Sequence, residues 1–355
     1  MTTERTQNPV LVEALRGETR ESAHRGAIAV LDADGKRLVA LGDIERPVFP
    51  RSAVKLLQAI PLVESGAADR LALDDEELAI ACASHNGEPK HVAVVERMLA
   101  KAGLDVGALE CGTHWPRLGP VANALAASGG KPNALNNNCS GKHAGFLCLA
   151  CVLCDGVNLR QYAKGYVAPR HPVMRAITET LEATTGYDLR QAPRGIDGCS
   201  IPTFAIPLDR LALAFARIGS GTALRPGHMR AATRLRKAVA RHPFMAAGSD
   251  RFDTQVMEAL GERVYCKVGA EAVFCASFPE RGLGVAIKID DGNTARAAEV
   301  AMAAAIEAFV DLDDEEADVL RRLSDVSLRN WNGIEVGALR AALPAALQAP
   351  HHSRV

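Results

Sequence analysis

The sequence contains no long hydrophobic run and carries almost no net charge. Hydrophobic residues make up 48% of its 355 residues, yet no window approaches the roughly 18 apolar residues of a membrane span. Residues 1–20 also lack the unbroken apolar core of a signal peptide. Since 41 Lys and Arg residues face 42 Asp and Glu residues, no global field favours nucleic acid or an anionic membrane surface. We therefore expect a cytoplasmic protein with a small-molecule partner, and with neither a nucleic-acid nor a membrane partner.

Two familiar site motifs are missing as well. The chain has no G-x-S-x-G sequence, which carries the nucleophile of many serine hydrolases. The segment CSGKHAG does not complete a phosphate-binding loop, because His143 stands where that motif requires Ser or Thr. Nine cysteines, an odd number spread through apolar segments, indicate reduced thiols and not a secreted disulfide framework. Cys148, Cys151 and Cys154 lie in one apolar helical segment, where we expect them to pack in the core instead of binding a cluster.

Strand-forming segments occur near both ends of the chain and enclose a long helical region. Residues 26–43 form two β-prone runs around the turn DADGK. Apolar spacing of three and four residues then predicts helices from residue 52 onward, and strand signals return after residue 262. We predict an α+β fold in one domain over residues 1–355, with an antiparallel sheet built from both chain ends. The sheet part is expected at 26–50 and about 262–340, and the mostly helical part at about 52–260.

The segment PRSAVK places a serine and a lysine three residues apart at an expected helix start. Ser52 and Lys55 would then share one helix face. A serine hydroxyl becomes a good nucleophile only when a base takes its proton, and lysine can act as that base if its pKa is lowered. By itself, the pair is equally compatible with a helix-capping serine, which is the commoner role.

Two further segments follow in an informative order. Ser84 begins the segment SHN after a helix-like run, and Lys267 begins KVG on an expected strand. The order S-x-x-K, S-H-N, K-V-G is close to the S-x-x-K, S-D-N, K-T-G triplet of serine β-lactamases and penicillin-binding proteins. Taken alone, Ser84 is compatible with a turn and Lys267 with a protected edge strand. Together with Ser52 and Lys55, they favour a serine hydrolase.

The sequence as a whole resembles the L-asparaginase family typified by the thermolabile rhizobial enzymes, the asparaginase II group. The resemblance rests on the blocks FPRSAVK, SHNGEP, NNCSGKHAGF, GIDGCSIP and KVGAEAVF and on their order. It extends from about residue 26 to residue 340. It implies a serine β-lactamase-like fold, a homodimer, and hydrolysis of L-asparagine to aspartate and ammonia. It also implies two Ser–Lys pairs, which fall here on Ser52 with Lys55 and on Ser84 with Lys267.

The same resemblance implies a zinc ion held by Cys139, Lys142 and Cys199. A thiolate pair suits zinc, but lysine coordinates only when neutral, so this metal would tune the site and not hold the fold. On spacing alone, two buried thiols beside a solvated lysine are the alternative. Asp197 is expected to orient Lys142 or to receive a substrate ammonium, and a turn-forming role is its alternative. The other expected substrate-binding residues are His85, Asn86, His143 and Gly269.

The expected reaction is acyl transfer. Ser52 attacks the side-chain amide carbon of asparagine while Lys55 accepts the hydroxyl proton. Ser84 and Lys267 then pass a proton to the leaving ammonia, and water cleaves the ester. A Ser–Lys constellation fixes the reaction class better than the substrate, so a glutaminase, a D-amino peptidase and a β-lactam-reactive hydrolase are alternatives. A non-catalytic metal- or ligand-binding module is an alternative of another class.

Overall fold

The computed structural model describes residues 7–343 and Leu347. The strands, in chain order, are β1 (Val10–Arg16), β2 (Thr19–Asp32), β3 (Arg37–Leu41), β4 (Pro47–Val48), β5 (Arg194–Ile196), β6 (Pro202–Phe204), β7 (Ile206–Pro207), β8 (Tyr265–Val268), β9 (Val273–Phe278), β10 (Leu283–Ile289), β11 (Asp325–Arg329) and β12 (Glu335–Ala341).

Helices occupy most of the middle of the chain. The α-helices are α1 (Lys55–Glu64), α2 (Ala67–Arg70), α3 (Asp75–Ala81), α4 (Pro89–Lys101), α5 (Gly119–Ala127), α6 (Ser140–Leu153), α7 (Leu159–Tyr162), α8 (Pro172–Thr185), α9 (Leu208–Ser220), α10 (Pro226–Arg241), α11 (Pro243–Ala246), α12 (Phe252–Leu260), α13 (Glu299–Phe309) and α14 (Asp314–Ser324). Short 3₁₀ turns cover Arg51–Val54, Val106–Ala108, Ala134–Asn136, Gly261–Arg263 and Pro279–Arg281, and a π-helical turn, Thr294–Ala298, leads into α13. Within residues 7–343 and at 347, no helix has the length and apolar character needed to cross a membrane.

One compact unit, called here the sheet unit, comprises residues 7–53, 205–223 and 266–343. Its main sheet has the strand order β11-β12-β1-β2-β10-β9-β8, and β3 also pairs with β2. Strands from opposite chain ends pair antiparallel, with Glu13 of β1 opposite Arg340 of β12 and Val30 of β2 opposite Val285 of β10. The expected α+β class, with an antiparallel sheet built from both chain ends, is therefore confirmed.

Helix α9 packs against this sheet through an apolar surface. Leu211, Phe215 and Ile218 recur at helical spacing and are fully buried. The backbone of β10 comes unusually close, because a Cβ on Gly284 would lie 2.0 Å from the carbonyl oxygen of Ala212. Only glycine at position 284 permits this contact between helix and strand.

The second compact unit, the helical unit, comprises residues 54–204 and 224–265. At its core lies α6, whose residues 140–151 are all buried, and which contacts α1, α3 and α4. A Cβ on Gly141 would lie 2.4 Å from the carbonyl oxygen of Ile80, so glycine lets α6 approach α3 closely. Cys148 and Cys151 on this helix are buried in the core as expected, whereas Cys154 at its end is only partly buried.

Two boundaries differ from the expected ones. The sheet begins at Val10, because β1 and the first half of β2 precede residue 26. Helix α9 falls inside the range expected for the helical part but belongs to the sheet unit. Strand β1 pairs with the neighbouring β2 and with the distant β12, and α9 packs against β10 and β2.

Candidate active site

Lys55 is the first residue of α1 and is completely buried in the helical unit. Its Nζ atom contacts the carbonyl oxygen of Ala83. It also lies 2.9 Å from Ser84 Oγ and 3.1 Å from Cys139 Sγ. The sequence prediction assigned all three of Lys55, Ser84 and Cys139 to the site, and the fold brings them into direct contact.

The segment 84–87 that carries Ser84 is held rigidly by backbone contacts. The Ser84 N–H donates to the carbonyl oxygen of Ala246 at 2.9 Å, and the His85 N–H donates to that of Asn138 at 3.1 Å. Gly87 has φ +76°, and a Cβ there would lie 2.8 Å from the carbonyl oxygen of Asn136. The segment is therefore fixed against the start of α6.

His85 is fully buried and neutral. Burial, followed by repulsion from His91 and Lys55, holds the pKa of His85 well below its ordinary value. The Gly87 N–H donates to Nδ1 at 3.1 Å, so the proton lies on Nε2, which contacts Ser140 Oγ at 2.9 Å. Both ring nitrogens thus already have protein partners.

Asn86 is also engaged by the protein. Its Nδ2 donates to the carbonyl oxygen of Ser249 at 2.9 Å, and its Oδ1 lies 3.2 Å from a guanidinium nitrogen of Arg251. The backbone carbonyl of Asn86 accepts from the Arg117 N–H at 2.9 Å. Asn86 therefore joins two arginines that the sequence prediction did not include, because no local pattern distinguishes them from other arginines.

Cys139, Cys199 and Lys142 form a buried cluster beside Lys55, called here the thiol–amine cluster. Lys142 Nζ lies 3.0 Å from Cys199 Sγ. A hydrogen bond from the Cys199 thiol, reinforced by Lys55 and Lys142, keeps the pKa of Cys139 well below its ordinary value. The same hydrogen bond and burial raise the pKa of Cys199. The cluster therefore contains one thiolate, one thiol and the cationic side chain of Lys142.

Asp197 lies next to this cluster in a tight turn. The Ser200 N–H donates to the Asp197 carbonyl oxygen at 2.9 Å, and Ser200 has φ +76°. Burial lowers the pKa of Lys142. The attraction of its positive charge to Cys199, Cys139 and Asp197 has a larger effect, so the pKa is raised overall. Asp197 thus forms a turn and also acts on Lys142 electrostatically.

The cluster offers zinc two sulfur donors and one nitrogen donor, which this metal favours. Among the residues that the structure describes, no group of three or more His, Cys, Asp or Glu side chains is arranged to hold a metal. Lys142 would therefore be the required third donor, and its raised pKa means that it must first lose a proton. These residues fit a zinc ion once Lys142 is neutral.

His143 follows Lys142 on α6 and presents a buried donor. Tyr166 Oη accepts from the Glu110 N–H at 3.0 Å, so its own hydrogen points to His143 Nδ1, which lies 2.6 Å away. The proton of the neutral imidazole is then on Nε2, which has no hydrogen-bond partner within residues 7–343 and 347. In this tautomer, the Nε2–H of His143 is a buried hydrogen-bond donor.

The remaining predicted residues, Ser52, Lys267 and Gly269, belong to the sheet unit. Ser52 lies in the 3₁₀ turn Arg51–Val54, and Arg51 has a strained φ of +52°. A Cβ on Gly269 would lie 2.4 Å from the carbonyl oxygen of Pro50 and 3.2 Å from the Ala53 nitrogen. Gly269 therefore packs tightly against the turn that holds Ser52. Lys267 is completely buried on β8.

Comparisons with known proteins add independent information. The sequence matches the family model described as L-asparaginase II over residues 12–341. The comparison with curated proteins found no match. Thirteen chains of solved structures match. One is a β-lactamase from Mycobacterium bovis, 15% identical, with a TM-score of 0.36, covering 80% of this chain and 94% of that chain. Another, described as Mglu in its glutamate form, is 17% identical with a TM-score of 0.36, and the match covers 86% of this chain and 67% of that chain.

Proposed function

Because the chain belongs to the L-asparaginase II family, we propose that it hydrolyses L-asparagine to L-aspartate and ammonia through a seryl acyl-enzyme. The observation that carries the proposal is the buried contact of 2.9 Å between Lys55 Nζ and Ser84 Oγ. The contact supports a role for Lys55 in proton transfer, because it places a buried lysine amine beside a serine hydroxyl of the predicted site.

In the proposed mechanism, Ser52 Oγ attacks the side-chain amide carbon and forms an aspartyl ester. Lys55 accepts the proton of the Ser52 hydroxyl, and Ser84 with Lys267 delivers a proton to the departing ammonia. Water then cleaves the ester and regenerates Ser52. The strained backbone at Arg51 supports a functional role for the adjacent serine, since such strain often accompanies active sites.

Lys55 is suited to both directions of proton transfer. An ammonium form donates to the Ala83 carbonyl, to Ser84 Oγ and to Cys139 Sγ. A neutral amine keeps two hydrogens and one lone pair, so the Ser84 hydroxyl can donate to it instead. Lys55 can therefore change its charge without breaking the contact with Ser84.

Substrate binding is proposed for His143, Asp197, His85, Asn86 and Gly269. His143 has the strongest support, because its buried Nε2–H is a preformed donor without a protein acceptor among the described residues. Asp197 is proposed to receive the substrate ammonium. For His85, Asn86 and Gly269 the contacts above support this proposal indirectly, because they fix the loops that carry Ser84 and Ser52.

We further propose that Cys139, Lys142 and Cys199 hold a zinc ion that modulates binding. When bound, zinc would supply a fixed positive charge that helps to orient the substrate. The chain is also proposed to act as a homodimer, as the family resemblance implies, and to reside in the cytoplasm.

A substrate panel tests the proposed function. Ammonia release is measured with L-asparagine, L-glutamine and D-asparagine at equal concentration. We expect the highest kcat/KM with L-asparagine. Preference for L-glutamine would replace the proposed substrate, and release of no ammonia from any of the three would refute the proposal.

A further inference from the structure

Strand β11 forms one edge of the main sheet in the sheet unit. Among the residues that the structure describes, it pairs with β12 and with no other strand. It contains neither proline nor lysine, which commonly protect such an edge, and the extra residue at its register shift, Val336, belongs to β12. An edge strand of this kind can pair with a strand from another chain.

The hydrogen bonds of β12 show in which direction its backbone groups point. The Ala342 N–H donates to the Leu11 carbonyl oxygen at 2.8 Å, and the Val336 carbonyl oxygen accepts from the Gly17 N–H at 3.0 Å. Successive residues of a strand direct their backbone groups to opposite neighbours. The even-numbered residues of β12 therefore face β1, and the odd-numbered residues face β11.

The same alternation identifies the backbone groups of β11 that point away from the sheet. Val326 and Leu328 lie opposite Leu339 and Gly337, two odd-numbered residues of β12, so their N–H and C=O groups face β12. The residues between and beside them direct theirs outward. These residues are Asp325, Ser327 and Arg329.

The sequence of β11, DVSLR, is complementary to itself in an antiparallel pair. When two copies pair with Ser327 at the centre, Asp325 of one copy lies opposite Arg329 of the other, and Val326 lies opposite Leu328. Each of these favourable pairs occurs twice. The same register also brings the outward backbone groups of both strands directly opposite one another, as an antiparallel ladder requires.

Charged side chains on β12 extend this complementarity. Arg340 Nε lies 3.1 Å from Asp325 Oδ1, and Arg329 Nη2 lies 3.6 Å from Glu335 Oε2. All four residues are exposed. Across two paired copies the side chains would follow one another in the order Arg340, Asp325, Arg329 and Glu335, with the sign of the charge alternating. This alternation favours a second copy of the chain as the partner and specifies the antiparallel register.

The turn after β11 carries two exposed apolar side chains. Trp331 is fully exposed, and Ile334 is 59% exposed. In the register centred on Ser327, position 331, four residues after the centre, falls opposite position 323, four residues before it. Leu323 is half-buried near the end of α14. Trp331 of one copy would therefore cover apolar surface of the other, and aromatic side chains are enriched at protein interfaces.

We propose that β11 joins two copies of this chain through an antiparallel pair centred on Ser327, so that their main sheets become one continuous sheet. This inference rests on the homodimer of the proposed function and gives it an interface, and it does not depend on the proposed reaction. Two short strands bury little surface by themselves, so Trp331 and Ile334 supply further contact area.

Charge reversal tests the register. Asp325→Arg and Arg329→Asp each place like charges opposite one another at two positions, so each should weaken the dimer about 10-fold or more. The double variant restores opposite charges with their places exchanged, and it should recover much of the lost affinity. Arg281→Asp, at an exposed arginine of the sheet unit paired with Asp311, is the control and should dimerise like wild type. Sedimentation over a range of concentrations measures the dissociation constant, and circular dichroism verifies folding.

Cross-linking tests the centre of the pair. In Ser327→Cys, the two new thiols face each other across the symmetry axis, so a short bis-maleimide should link two chains. Cys154 is the one cysteine of the nine that is not buried, so Cys154→Ser serves as the background. Ser22→Cys, at an exposed serine of the inner strand β2, is the control and should not link.

The outcomes separate the interface from the proposed function. A dimer that neither charge reversal weakens, or a Ser327→Cys protein that does not link, would show that the two copies meet elsewhere, and the homodimer would stand. A wild-type protein that is monomeric at every concentration would overturn the interface and the homodimer together. Ammonia release from L-asparagine is measured on the same samples. Its absence from a protein that dimerises through β11 would refute the proposed reaction alone.

Discussion

Lys55 Nζ and Ser84 Oγ lie 2.9 Å apart in the interior of the helical unit, although 28 residues separate them in the chain. Lys55 begins α1, and Ser84 follows α3 in a loop held by Ala246 and Asn138. Neither side chain can move far without breaking buried contacts. The pair is therefore preorganised for proton transfer.

Replacement of Lys55 tests its role as a base. Lys55→Arg keeps a positive charge but cannot give up a proton near neutrality, so we expect about 100-fold or greater loss of kcat, similar to Lys55→Ala. The measurement is ammonia release from L-asparagine over pH 6–10. Lys237→Arg, at an exposed lysine of the same unit, is the control. Substantial activity in a folded Lys55→Arg protein would show that Lys55 is not the base.

Gly269 offers a test of the turn that carries Ser52. In Gly269→Ala, the new methyl group would overlap the Pro50 carbonyl, so the turn Arg51–Val54 must shift. We expect a destabilisation of about 1–3 kcal/mol and a fall in kcat larger than the loss of folded protein explains. Gly119→Ala is the control, because nothing lies within 4 Å of the new Cβ. It should change neither the free energy of unfolding nor kcat. Unfolding in urea and kcat of the folded fraction measure the two effects. An unchanged kcat in Gly269→Ala would contradict this account of the turn.

Zinc affinity should rise with pH. The pKa values of Lys142 and Cys199 are raised, so both hold protons that zinc must displace, whereas Cys139 is already ionised. Each displaced proton makes the apparent affinity increase about tenfold per pH unit below the relevant pKa. Competition with a chromophoric chelator between pH 6 and 8 measures this slope. Cys139→Ser and Cys199→Ser should abolish tight binding, and Cys154→Ser should not. Affinity that does not depend on pH would exclude Lys142 as a ligand.

Acid should destabilise the helical unit through its buried histidines. Burial holds the pKa values of His85 and His143 well below their ordinary value, while the unfolded chain protonates near the ordinary value of about 6.5. Below that pH the unfolded state binds more protons than the native state, so the free energy of unfolding falls as pH decreases. Urea unfolding at pH 7.5 and 5.5 checks this. In His143→Gln the decrease should be smaller than in wild type, and an equal decrease would contradict the assignment.

Local sequence patterns were sufficient to predict helices and strands whose formation depends on residues close by in the chain. The hairpin of β2 and β3 and the helical region that begins near α1 were predicted from apolar spacing and turn residues. Strand β1 lies before the expected sheet range, and β11 and β12 lie within it but were not predicted individually. Strand β1 pairs with the adjacent β2 and also with β12, more than 300 positions away, and β11 is largely polar and half-exposed. Such strands lack a strong pattern of their own, so only the assembled sheet defines them.

The same limit applies to the candidate site. Ser52, Lys55 and Ser84 stand in distinctive motifs, and the family resemblance implies Cys139 and Cys199, so the sequence predicts all five as site residues. Arg117 and Arg251 are 134 positions apart and stand in no recognised motif. Tyr166, which fixes the tautomer of His143, was likewise not predicted. Their roles depend on which side chains the fold brings together, and no local pattern encodes that.

The most direct test of the account is ammonia release from L-asparagine by wild type and by Ser52→Ala. Removal of one hydroxyl from a half-buried position should leave the fold intact, which thermal unfolding verifies. If Ser52 forms the aspartyl ester, wild type releases ammonia and Ser52→Ala retains less than about a hundredth of that activity. Activity above that level in a folded Ser52→Ala protein would contradict the central claim.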